Sequence, residues 1–251
     1  MRVLHADELT VNVLPNRTAL GQAAAMQVVR LVSAILNRKD HVNIIFAAAP
    51  SQNELLKELR ASSDFPWSKV NAFHMDEYVG LTPGAPQSFA QFLKDRLFDH
   101  VPCRSVNLMN GRATDINKEC ERYADLLRQS PPDLVCLGIG ENTHLAFNDP
   151  HVADFNDPVL VKTVTLDERC RQQQVNDGCF AELPAVPDLA ITLTIPALFQ
   201  GKHLVCSVPG PTKAEAVALT LGHAVTAQYP STILRRHPDA VLFVDTDSYR
   251  N

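Results

Sequence analysis

Apolar and polar positions along the chain fall into two alternating periods. From Thr18 to Leu36, Leu20, Ala24, Val28, Leu31 and Ile35 recur at helical spacing and form one stripe, which predicts a helix with that face on a core. His41 to Ala49 (HVNIIFAAA) is a largely apolar run of strand length, as expected of a strand covered on both faces. Pro50 and Ser51 then open a second helix in SQNELLKEL, where Ser51 and Glu54 have the S-x-x-E spacing of a capping box. A strand into His74 and Met75 follows, and after a proline-containing loop a helix around SFAQFLKDRLF. Further strands are predicted at Ser105 to Met109, Leu134 to Ile139, Val159 to Val164, Leu189 to Leu193, His203 to Val208 and Ala240 to Val244, with helices over Asp115 to Arg128 and Thr212 to Leu221. This alternation implies an α/β fold, a Rossmann-like open and mostly parallel sheet with helices on both faces.

No Gly/Ser-rich linker, internal repeat or block of like charge divides the 251 residues, so a single domain over residues 1–251 is expected. Hydrophobic residues at 45% can build a sizeable core, and a net charge of −5 leaves no basic footprint for nucleic acid. A local pocket for an anionic metabolite is compatible with that balance. No uninterrupted apolar run approaches a membrane span, and the first residues lack a basic segment followed by an apolar core. Neither a membrane partner nor a secretory signal is therefore expected. The six cysteines (Cys103, Cys120, Cys136, Cys170, Cys179 and Cys206) include no C-x-x-C pair, and Cys136 and Cys206 lie in strand-like runs as small hydrophobes. Reduced thiols and a cytoplasmic location follow from this reading.

Three polar clusters fall at the ends of predicted strands, where ligands bind in open α/β sheets. In HMDEYVGL, Asp76 and Glu77 follow apolar residues at a strand end, a position suited to a carboxylate base, with a helix cap or a solvated loop as the plain alternative. His74 and Asp76 share one side of an extended chain, but no further ligand spacing accompanies them, so no metal is expected. In LVCLGIGENTHLAFNDP, Gly138 and Gly140 break the strand ahead of Asn142, His144 and Asp149, and a histidine there can act as acid or base near neutral pH. GIGENT lacks the third glycine of a dinucleotide fingerprint. In SVPGPTKAEAV, a strand turns through Pro209-Gly210-Pro211 into a helix that starts beside Lys213. Helix N–H groups plus a lysine suit a phosphate, and a solvated lysine is the plain alternative.

These segments together resemble the glucosamine-6-phosphate deaminase/isomerase family, within the larger group that includes 6-phosphogluconolactonases. MDEYVGL, GIGENTHLAFNDP, VKTVTLDER, AITLTIPAL and ILRRHPDAVLFVD match it in order across nearly the whole chain. The Asn148-Asp149-Pro150 ending of the histidine loop is similar to the amino-sugar branch, whereas lactonases carry a DGHTASLFP-like run there. The resemblance implies an amino-sugar phosphate substrate, opened, isomerised between C1 and C2, and deaminated to a ketohexose phosphate. Asp76 would shuttle the proton between the two carbons, and His144 would protonate the ring oxygen with support from Asn142 and Asp149. Lys213 would hold the 6-phosphate, with Ser51 and either Arg169 or Arg171 contributing. A lid is implied near residues 164–184, no metal or organic cofactor is implied, and a homo-oligomer is left open.

The chain departs from the family pattern at several places. Many members have Asp at the position of Asn142, Gly at Thr143 and Glu at Asp149. The glycine- and threonine-rich phosphate loop is here AAAPSQNE, with Ser51 as its obvious hydroxyl, and the lid arginine that contacts phosphate aligns with Gln174. An arginine of allosterically regulated members aligns near Leu160. Two other functions compete with the deaminase: a sugar-phosphate lactonase and a non-catalytic sugar-phosphate sensor. An ammonia-release assay separates the deaminase from both.

Overall fold

The computed structural model describes residues 2–250. Its strands are β1 (Arg2–Ala6), β2 (Leu9–Leu14), β3 (Val42–Phe46), β4 (Val70–His74), β5 (Asp76–Tyr78), β6 (Ser105–Asn107), β7 (Leu134–Leu137), β8 (Val161–Thr165), β9 (Leu189–Leu193), β10 (His203–Val208) and β11 (Ala240–Asp245). Its helices are α1 (Arg17–Leu36), α2 (Asn53–Ala61), α3 (Phe89–Arg96), α4 (Ile116–Gln129), α5 (Glu168–Asn176), α6 (Ile195–Phe199) and α7 (Ala214–Gly222). Eight strands form one sheet in the order β1-β2-β11-β10-β7-β3-β4-β6. All its neighbours run parallel except β1, which forms an antiparallel hairpin with β2.

The sheet is α/β and mostly parallel, as the alternating periods require. β3 and β7 are buried at every residue, which is why they read as apolar runs rather than as alternating strands. Along the chain β3 leads outward to β4 and β6, and the chain then returns to β7 on the other side of β3 and continues to β10 and β11. The crevice between β3 and β7 is thus the topological switch point, where such sheets bind ligands. At the opposite end of these strands the buried Asp133 carboxylate accepts from Lys39 Nζ at 2.6 Å, Lys202 Nζ at 3.2 Å and the Asn43 N–H at 3.1 Å. Burial tends to raise this carboxyl, but those donors hold it below its ordinary range.

The stripe of Leu20, Ala24, Val28, Leu31 and Ile35 is the buried face of α1. The helix starts at Asn16, whose side chain accepts the Ala19 N–H at 2.9 Å. By length and composition alone α1 is apolar enough to cross a membrane, and here that apolar stripe belongs to the core beneath the sheet.

Several expected elements are corrected. The strands expected near residues 159–164 and 189–193 do not join the parallel sheet. They are β8 and β9, which with β5 form a separate antiparallel sheet in the order β5-β9-β8. β8 buries Val161 and Val164 but exposes Thr163 and Thr165, unlike the central strands of the large sheet. Ser51 and Glu54 make no capping box, because Pro50–Gln52 is a single 3-10 turn and α2 begins only at Asn53. Glu54 instead pairs with Arg17 at 2.7 Å. The β1–β2 hairpin and helix α5 have no counterpart among the expected elements. β1 is largely exposed, and α5 is too polar to show a stripe.

His74 is fully buried, with Nε2 at 2.7 Å from the Met109 N–H and Nδ1 without a partner among the described residues. It is a structural acceptor, and burial pushes its pKa down to about 3. An unfolded chain takes up this proton near pH 6.5, whereas the folded chain does so only near 3. Stability contributed by neutral His74 is therefore lost as pH falls through that window. His74→Gln, whose amide oxygen can still accept the Met109 N–H, is expected to flatten the fall of urea midpoint with pH there. An unchanged slope would show that His74 does not carry this dependence.

Candidate active site

Four strand tips converge on one cavity. After β3 the chain supplies Ala47, Ala48, Ala49 and Ser51, after β4 Met75 and Asp76, after β7 Gly138 to Gly140 and His144, and after β10 Lys213. Gln173 and Gln174 of α5 line the same cavity, which is open to solvent.

Asp76 is held rigidly because it opens β5, paired with Thr192 of β9. Its side chain is buried and its Oδ1 has no hydrogen-bond partner among the described residues. Burial, followed by the charge of Glu77, raises its pKa well above the ordinary carboxylate range. A carboxyl with an idle oxygen at a cavity wall is equipped to exchange a proton with a ligand. Glu77 is different. Its oxygens accept the N–H groups of Tyr78, Phe89 and Ala90 and the Ser88 hydroxyl. It caps the start of α3, the helix-cap role that the sequence left open for this pair.

His144 sits in a loop built around its ring. An ideal Cβ placed on Gly140 would fall within the imidazole, so only glycine lets the ring lie against that backbone. Thr143 adopts φ of 71°, a left-handed conformation costly for a β-branched residue. His144 Nδ1 lies 2.7 Å from Asn142 Oδ1 and 3.1 Å from Asp149 Oδ1, which leaves Nε2 without a protein hydrogen bond among the described residues. Asp149 has no exposed surface. Burial works to raise its carboxyl, but contacts from His144, from Asn142 and from the Asp167 N–H hold it below the ordinary range.

Lys213 ends the 3-10 turn Pro211–Lys213 ahead of α7. The turn depends on Gly210, whose φ of 94° excludes other residues in comfort. Both Asp245 oxygens receive the Gly210 N–H, at 3.0 and 3.1 Å. Lys213 is buried, and burial lowers its pKa against the pull of Asp177 and Glu141. Ser51 shares the cavity wall with it.

The structure brings together Asp76, His144, Ser51 and Lys213, with Asn142 and Asp149 directly behind the histidine. It does not bring Arg169 or Arg171 to the cavity. Arg169 pairs with Glu215 at 2.8 Å, while Arg171 pairs with Asp188 at 2.8 Å and donates to the carbonyls of Leu183 and Val186. Gln174 lines the cavity wall.

Gln52 went unnoticed in the sequence. Its Nε2 lies 3.1 Å from Ser51 Oγ, 3.2 Å from the Ser207 carbonyl and 3.4 Å from the Leu137 carbonyl, tying the tips of three strands together. Asp167 also went unnoticed, although an Asp directly before a helix is a start signal. His144, Asp149 and Cys170 place ligand atoms within 4.8 Å of one another, as do Asp149, His151 and Asp167. In the first group Nδ1 of His144 is already engaged by Asn142 and Asp149.

An acid–base cavity at the switch point of a mostly parallel sheet defines an open α/β enzyme. A family profile described as glucosamine-6-phosphate isomerases/6-phosphogluconolactonase matches residues 15–243. The chain belongs to that family. It is 33% identical over 219 residues to a glucosamine-6-phosphate deaminase of Bacillus thuringiensis, covering 87% of this chain and 81% of that one. Among solved structures it is similar to a monomeric glucosamine-6-phosphate deaminase, with a TM-score of 0.87 and 26% identity over 95% of this chain and 98% of that one. A 6-phosphogluconolactonase of Thermotoga maritima shares the fold with a TM-score of 0.77 and 20% identity, over 95% of this chain and 100% of the other.

Proposed function

We propose that this enzyme converts a 2-amino-2-deoxyhexose 6-phosphate, glucosamine 6-phosphate or an epimer, to a ketohexose 6-phosphate and ammonia. The observation that carries the reading is Asp76, buried with an idle oxygen in the same cavity as His144 and Lys213. Lactone hydrolysis needs no carbon-bound proton moved, whereas aldose–ketose isomerisation needs one carboxylate to take the C2 proton and return it at C1.

The steps balance as proton transfers. His144 Nε2 takes the proton of the anomeric hydroxyl and delivers it to the ring oxygen, opening the ring. Asp76 removes the C2 proton and returns it to C1, while O1 gains the proton that the amino group gives up, turning the aminoaldehyde into a C1 alcohol with a C2 imine. Water adds to the imine carbon and ammonia leaves, producing the ketose. Lys213, with Ser51, anchors the phosphate at the end of α7. Residues 164–184, which include α5, act as a lid that keeps bulk water from the enolic intermediate. The chemistry requires only positioned acid and base groups, and the reaction is assigned to the cytoplasm.

Ammonia release across a panel of 2-amino-hexose 6-phosphates tests the reading, with 6-phosphogluconolactone hydrolysis as the competing arm. Activity on the lactone alone would replace the deaminase with a lactonase. Lys213→Ala removes a charge-assisted contact of roughly 1.5–3 kcal/mol, so KM for the phosphorylated sugar should rise about 10- to 100-fold. Turnover of the unphosphorylated sugar should change little. Equal effects on both substrates would take Lys213 out of the phosphate site.

A further inference from the structure

Asn142 uses every hydrogen-bonding capacity of its side chain. Nδ2 donates to Asp149 Oδ1 at 2.9 Å and to Asp167 Oδ2 at 3.0 Å. Oδ1 lies 2.7 Å from His144 Nδ1 and accepts the His144 backbone N–H at 3.2 Å. Two carboxylates on one side can be served only by the NH₂ end, so the carbonyl end must face the ring. In the neutral imidazole Nδ1 therefore carries the proton, and Nε2 offers its lone pair to the cavity.

Asp167 does not belong to the catalytic loop. It caps α5, with Oδ1 accepting the Cys170 N–H at 2.6 Å, and its own N–H reaches Asp149 Oδ2 at 3.3 Å. The contact thus joins the lid helix to the histidine through one amide. With Asp at 142, three carboxylates would crowd this point. The amide is what admits the carboxylate from the lid.

We propose that Asp167 is a positioning residue: through Asn142 it sets the tautomer and orientation of His144 when α5 is seated on the catalytic loop. The proposal rests on the reading of His144 as the ring-opening group, but part of its test needs no substrate.

Three variants separate positioning from capping. Asp167→Ser keeps a good helix cap yet is too short to reach Asn142. Asp167→Ala loses both contacts. The pair Asn142→Asp with Asp167→Asn reverses donor and acceptor along the same link and leaves an oxygen for the Cys170 N–H. Nitrogen-15 NMR of the free enzyme, with the His144 signal assigned through its loss in His144→Gln, reads the tautomer of the neutral ring. Wild type should show Nδ1–H alone, Asp167→Ser a mixture, and the paired variant a return toward one form. In ammonia release, Asp167→Ser and Asp167→Ala should both lose about 10-fold in kcat with KM nearly unchanged, and the paired variant should recover part of it. An Asp167→Ser enzyme with the wild-type tautomer and kcat would overturn the proposal and reduce Asp167 to a helix cap. Should wild type release no ammonia from any sugar, the proposed function fails, and the tautomer comparison still decides the role of Asp167.

Discussion

Asp76→Asn is expected to lower kcat for ammonia release by roughly 10²–10⁴-fold, the usual cost of losing a general base, while ligand binding is largely kept. The amide preserves the shape of the side chain at the head of β5, where pairing with Thr192 fixes the backbone. It cannot take up a carbon-bound proton. The site explains why so much rests on one residue. Oδ1 has no partner among the described residues, and burial together with the neighbouring Glu77 charge raises the carboxyl pKa well above its ordinary value. A raised pKa makes the carboxylate a stronger base once it is ionised, which suits removal of a weakly acidic C–H proton. Turnover by steady-state kinetics and affinity by calorimetry with a ketohexose phosphate check the two halves. Near-native turnover in Asp76→Asn would remove Asp76 from proton transfer.

His144→Gln carries the second large effect, also within about 10²–10⁴-fold, but on a different step. Glutamine can still fill the space beside Gly140, and it cannot relay a proton from the anomeric hydroxyl to the ring oxygen. The loss should therefore shrink when substrate is supplied already open-chain, for example as an analogue that cannot cyclise. Asp76→Asn should show no such relief. An equal loss on cyclic and open-chain substrates would place His144 at the isomerisation itself rather than at ring opening.

The parallel sheet was legible because its central strands are buried on both faces, and uniform burial leaves uniform apolar runs such as Leu134 to Leu137. The second sheet was less so. β9 is as apolar as a central strand, and nothing local shows that it pairs with β5 and β8 instead. For the site, residues that follow strand ends could be found, because the fold class alone makes those positions converge. Asp76, His144, Ser51 and Lys213 are of this kind. Asn142 and Asp149 came with the histidine loop. Residues placed by tertiary contact were harder to see. Gln52 ties three strand tips from a short turn, and Asp167 reaches the histidine only because α5 folds back on its loop. Arg169 and Arg171 show the reverse: the right charge at the right sequence distance, yet both are drawn into ion pairs with Glu215 and Asp188.

The most direct test of the account is simultaneous measurement of ammonia and ketohexose 6-phosphate from wild type supplied with glucosamine 6-phosphate or its epimers. The account expects the two products in equal amounts from at least one sugar, with both lost together in Asp76→Asn. A wild-type enzyme that releases neither product from any of these sugars, yet hydrolyses 6-phosphogluconolactone, would contradict it.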